Sequence, residues 1–162
     1  MNKIFFLVLC LFLFVGTAYS YPEEDCPVAA IYDYMYQKFP NVAAIKQQLG
    51  EPTSFEEGET DEYPLGPDSG MDPFVDMKFD GIRIFVMNDD LIRIFTISKP
   101  GIVEFSGIDI GASRDNVTKI YGEPTNVEGN KVTFESIYGL CEAIFVFEEN
   151  KVKEMTYNSW SN

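Results

Sequence analysis

The residue types that could do chemistry in this chain are carboxylates. Asp and Glu number 26 against 12 Lys and Arg, and there is no histidine. Without histidine there is no Ser-His-Asp or Cys-His nucleophile and no imidazole ligand for zinc or iron. The three cysteines, Cys10, Cys26 and Cys141, are too widely spaced for a C-x-x-C redox or zinc motif. No G-x-G-x-x-G or P-loop is present to cradle a phosphate. The carboxylates leave room for glycoside hydrolysis by an acid pair, but that requirement is spatial and no spacing in the chain singles out a pair. The stretch 51–76 holds nine acids and no base, yet "DSGMD" lacks the alternating oxygen ligands of a calcium loop. No catalytic residue, metal site or cofactor is therefore assigned.

The charge balance narrows the class of partner. A net charge of −14 repels phosphate backbones and anionic headgroups, which argues against nucleic acid and fits either simple solubility or a neutral or basic partner. Residues 1–20 read as a secretory signal peptide. Lys3 leads an apolar run from Ile4 to Val15, and Ala18-Tyr19-Ser20 offers small residues for cleavage. The run is shorter than the roughly 20 residues of a membrane span. The expected product is a secreted or periplasmic chain starting at Tyr21, with no stable membrane insertion. In an oxidising compartment its two cysteines, Cys26 and Cys141, are candidates for a bridge. Asn116-Val117-Thr118 is a glycosylation sequon that falls inside an expected helix.

The elements that must position any site are announced by a repetition. "LGEPT" at Leu49 returns as "YGEPT" at Tyr121, 72 residues later. Ahead of each motif lies an apolar i, i+4 pair, Ile45 with Leu49 and Val117 with Tyr121, as on one face of a short helix. Asn41 and Ser113 stand at matching N-cap positions. Gly50 and Gly122 stand where a helix ends on positive φ, and Pro52 and Pro124 forbid its continuation. A second correspondence, at an offset of 60, aligns 81–98 with 141–158. Each holds two alternating runs about a polar break, the pattern of a β-hairpin. Pairing Val86 with Ile92 and Val146 with Val152 predicts the loops Asn88-Asp89-Asp90 and Glu148-Glu149-Asn150, with Asp90 and Asn150 left-handed. The unit is thus a helix, a Gly-Pro stop, a strand and a hairpin, used twice: over 21–98, with an acidic insertion at 51–76 read as a solvated loop, and over 99–162. An amphipathic helix over 26–39 precedes it. The fold class is α+β, with helices packed on one face of antiparallel sheet.

The helix signature carried by Gly111, Ser113, Val117, Tyr121, Gly122 and Pro124, with Ile45, Leu49, Gly50 and Pro52 as a degenerate first copy, resembles two groups of proteins. One is the β-lactamase-inhibitor-protein fold; the other is the small envelope lipoproteins of the outer-membrane assembly machinery. The resemblance implies a tandem-unit fold that binds a protein target with a concave sheet face and hairpin tips.

Strand alternation then sorts the hairpin side chains. Ile82, Ile84, Val86, Ile92, Ile94, Ile144, Val146 and Val152 are expected beneath the helices. Arg83, Phe85, Arg93, Phe95, Phe145, Phe147, Lys153 and Tyr157 are expected on the open face, with Phe85 opposite Arg93 and Phe145 opposite Lys153. Aromatic residues and arginine together describe a protein-binding surface. Asp89, Asp90, Glu148 and Glu149 at the tips complete the candidate site. The expected function is non-enzymatic protein binding. A small carboxylate-dependent glycan hydrolase and a structural envelope component are the alternatives.

Overall fold

The computed structural model describes residues 27–61, 70–102, 104–136 and 139–160. The predicted signal peptide and Cys26 lie outside them. No helix among the described residues is long and apolar enough to cross a membrane.

Among the described residues three helices form where the sequence punctuates them. α1 (Pro27–Lys38) opens on a proline, whose missing N–H is no loss in a first turn, and it buries Val28, Ile31 and Met35 along one face. α2 (Val42–Leu49) is capped by Asn41, whose side chain accepts from Ala44 N–H at 2.9 Å. α3 (Arg114–Tyr121) is capped by Ser113, which accepts from Asn116 N–H at 3.3 Å. Both shorter helices stop at the glycine expected: Gly50 at φ 83° and Gly122 at φ 78° donate back to Lys46 and Thr118.

The strands are β1 (Ser54–Thr60), β2 (Asp72–Phe79), β3 (Ile82–Met87), β4 (Leu91–Ile97), β5 (Asn126–Glu128), β6 (Lys131–Glu135), β7 (Cys141–Glu148) and β8 (Lys151–Ser159). They form one antiparallel sheet in the order β1-β2-β3-β4-β8-β7-β6-β5. Two runs of one helix and four strands therefore meet at the β4–β8 pair. Each run has two strands ahead of its hairpin, where the sequence predicts one. The acidic stretch 51–76 also departs from the expected loop, because 54–60 and 72–76 are paired strand and Glu56 lies across from Asp76. The adjacent charges of Glu56 and Glu57 kept these residues from reading as strand, although an exposed edge strand carries charge on both faces.

All three helices bury their apolar residues in one core. Phe39, Ile45 and Val117 join Met77, Ile84, Phe95, Phe145, Met155 and Tyr157 in a single cluster. The segment between β4 and α3 closes it with Phe105 and Ile108, which pair backbone to backbone at 2.9 Å in both directions.

Register decides which hairpin side chains enter that core, and it differs from the sequence prediction in two places. The first loop is Asn88-Asp89-Asp90, flanked by Met87 opposite Leu91 as expected. The second is only Glu149-Asn150, because Glu148 pairs with Lys151. β7 therefore sits one residue further along than the 60-residue alignment supposes, and a one-residue slip exchanges the faces of a strand. The left-handed residues are Asn88 and Asp89 in one loop and Glu149 and Asn150 in the other, so Asn150 is as predicted and Asp90 is not. In addition, β4 and β8 each carry a bulge. Phe85 pairs with Ile94 while Val86 pairs with Ile92, which leaves Arg93 as the extra residue. Val146 pairs with Glu154 while Phe147 pairs with Val152, which leaves Lys153 as its equivalent. Beyond a bulge the alternation changes phase. So Ile92 and Phe95 share the core side, as do Val152 and Met155.

Candidate functional site

The aromatic half of the predicted site is core. Phe95 and Phe145 are fully buried, and Phe147 and Tyr157 nearly so. Phe95 stacks on Phe39 with ring centroids 5.8 Å apart, and Phe145 meets the Tyr121 ring edge-on at 5.0 Å. Phe147 lies 4.4 Å beneath the Arg114 guanidinium at the start of α3. The expected Phe85–Arg93 and Phe145–Lys153 pairs do not form; Phe85 faces Ile94 and Phe145 faces Met155. Ile94, Ile144 and Val146, expected beneath the helices, lie instead on the open face.

Arg93 is also buried, 2% exposed, and donates to the Ser159 carbonyl at 3.2 Å. Burial pushes its guanidinium below the ordinary value, against the opposing pull of Tyr32 and Asp72. Burial likewise raises the Tyr157 phenol far above the usual tyrosine range, with Cys141 adding to the effect.

Phe85 does point to the open face, but it is 8% exposed and stacks on Phe74 at 5.2 Å. Of the predicted basic residues, Arg83 and Lys153 are exposed. Arg83 holds Asp76 in a forked pair, with Nε at 3.1 Å from each carboxylate oxygen and Nη2 at 2.9 Å from Oδ2. Lys153 bridges to Glu148 at 3.0 Å. Asp89, Asp90, Glu148 and Glu149 are exposed at the hairpin tips, as predicted.

Across β2, β3, β4 and β8 the open face hollows into a groove of about 550 Å³. Its walls include Lys78, Arg83, Ser98 and Glu154, and its floor carries Ile94, Thr96, Thr156 and Asn158. The floor is fixed by side-chain hydrogen bonds. Thr96 and Thr156 hydroxyls lie 3.1 Å apart across the β4–β8 pair, and Asn158 donates to Glu142 at 2.7 Å. Sequence reasoning missed the threonines and Asn158 because it placed their strands one residue out of phase. The signal lay in the small polar residues that alternate with Met155 and Tyr157.

The other clefts offer less chemistry. One of about 540 Å³ lies between α1 and the segment 101–107 and is lined by Tyr34, Ile102 and Glu104 among others. Among the described residues Glu104 is the carboxylate that lines it, as Glu154 is in the groove. No group of three or more Cys, Asp or Glu among the described residues could hold a metal ion. Asn116 of the sequon is exposed in the first turn of α3. Cys141 is buried at the start of β7, and no disulfide lies among the described residues.

No family model matches the chain, and no curated protein matches it. Two solved structures are similar in outline. The uncharacterized protein yfeY from Escherichia coli is 17% identical, with 75% of this chain and 91% of that chain covered and a TM-score of 0.42. A DUF4309 family protein, YjgB, from Bacillus subtilis is 14% identical, with 84% and 99% covered and a TM-score of 0.44. At these values neither likeness extends to function.

Proposed function

We propose that the protein is an exported, non-enzymatic binding module whose protein partner docks on the open face of the sheet, along the β3–β4–β8 groove. One observation carries the reading. The three helices bury their apolar faces on the same side, and the other side presents a groove whose polar floor is already held in place by hydrogen bonds. A pre-ordered surface loses little side-chain entropy on association. Arg83 at its wall, held from behind by the forked pair with Asp76, and the exposed acids at the hairpin tips add directional and electrostatic selection. The resemblance drawn from the helix signature implies the same use of a sheet face. The glycan-hydrolase alternative needs two carboxyl groups about 5–10 Å apart in one cleft. Among the described residues one carboxylate lines each of these two clefts, which gives that alternative less support.

The test is capture by the chain 21–162 from native extract, with the partner identified by mass spectrometry. Replacing Thr156→Arg and Ser98→Arg fills the groove and is expected to abolish capture while moving Tm by only about 2 °C. Undiminished capture of the same partner by that variant rules the groove out.

A further inference from the structure

The sheet has an edge at β1, and the groove does not include it: no residue of β1 lines the groove. Among the described strands β1 pairs only with β2. Its residues 54–59 are all exposed, including Gly58, where exposure means exposed backbone. Seven residues long and free of proline and lysine, β1 is guarded against a foreign strand only by the charge of its three glutamates. Its side chains choose among foreign strands. Glu56 faces the open side, while Glu57 and Glu59 face the helix side, and none of the salt bridges among the described residues uses them. Phe55 ahead of them and Gly58 between them are the apolar positions, with Lys46 standing 4.2 Å over the Phe55 ring. Phe74 reaches to Gly58 from the neighbouring strand, so close that a Cβ there would meet its ring at 3.0 Å.

We infer that β1 accepts an extended basic segment of a partner protein as a ninth strand. Main-chain hydrogen bonds supply the affinity in this mode, and alternate side chains supply the choice of partner. An antiparallel partner would set Lys or Arg opposite Glu56, Glu57 and Glu59 and apolar residues opposite Phe55 and Gly58. A second copy of this chain is a poor occupant, because pairing β1 with itself about its centre sets Glu57 against Glu57. The opposite edge, β5, carries Glu128 and repels β1 in the same way.

The experiment uses the chain 21–162 and an acetylated, amidated peptide, Thr-Lys-Val-Lys-Lys-Val-Thr, written as the antiparallel complement of Ser54–Thr60. Saturable binding is expected, with amide exchange slowed at 54–60. The same peptide N-methylated at alternate residues should bind at least about tenfold more weakly, since it keeps the charge and loses the ladder. Replacing Glu56, Glu57 and Glu59 by Lys, all exposed, should leave Tm in place and transfer preference to the peptide carrying Glu for Lys. Equal binding of the N-methylated peptide, slowed exchange elsewhere than 54–60, or no saturable binding of either peptide each overturns the inference.

Discussion

The backbone N–H of Val42 donates to the carbonyl of Asp89 at 3.1 Å, tying the first turn of α2 to the tip of the β3–β4 hairpin. The same bond recurs between Arg114 and Asn150 at 3.2 Å, joining α3 to the β7–β8 tip. Asp89 and Asn150 are each the second left-handed residue of their loop, at φ 69° and 64°. An N–H in a helix's first turn has no partner within the helix, and here a hairpin supplies one. Each hairpin tip is thus anchored through its backbone while its acidic side chains stay in water.

The caps beside these bonds are expected to matter equally in the two halves. Asn41→Ala and Ser113→Ala should each lower stability by about 1 kcal/mol. The two sites share no partner, so the double variant should lose close to the sum. Urea unfolding followed by circular dichroism measures all three.

Truncation separates the core from the open face. Phe145→Ala should destabilise by about 3–5 kcal/mol, because the ring is enclosed by Tyr121 and Phe134. Lys153→Ala, at the equivalent of the buried Arg93 but turned outward, should change stability by less than about 0.5 kcal/mol. Equal effects would place Phe145 on the surface and reverse the assignment of faces.

Tyr157 gives a dependence on alkaline pH. Its phenol stays protonated in the folded chain well above the ordinary tyrosine value of 10.0, whereas in the unfolded chain it ionises near that value. The folded state then holds more protons than the unfolded one, so its stability is complete below about pH 10 and falls as pH rises further, by up to about 1.4 kcal/mol per unit. Tyr32 is raised in the same direction. Tyr157→Phe should flatten the alkaline decline in denaturation midpoint between pH 10 and 11; an unchanged slope would show that the phenol is not what resists ionisation.

The cysteines are checked by mass. Cys26 directly precedes Pro27, where α1 begins, and α1 packs on β7, which begins at Cys141. Val28 of that helix lies in the same core as Cys141. If the chain is exported as proposed, the candidate bridge between them is read as an intact mass lower by two hydrogens before reduction. Full alkylation of both thiols in the native, unreduced protein would exclude it.

The sequence by itself determined whatever is decided within a few residues. Asn41 and Ser113 mark helix starts and Gly50 and Gly122 mark helix ends because caps are local hydrogen-bonding problems. The positions of the two hairpins followed from alternation, and the α+β class followed from both. The tertiary structure decided which side of each strand faces inward. That depends on single-residue events: a second loop shorter by one, and bulges at Arg93 and Lys153, which cost little locally and are fixed only when the strands meet their neighbours. The shorter loop exchanges the faces of all of β7, and each bulge exchanges those of the strand beyond it. The aromatics therefore went into the core under the helices, where their burial stabilises most, and Thr96, Thr156 and Asn158 were left to form the open surface.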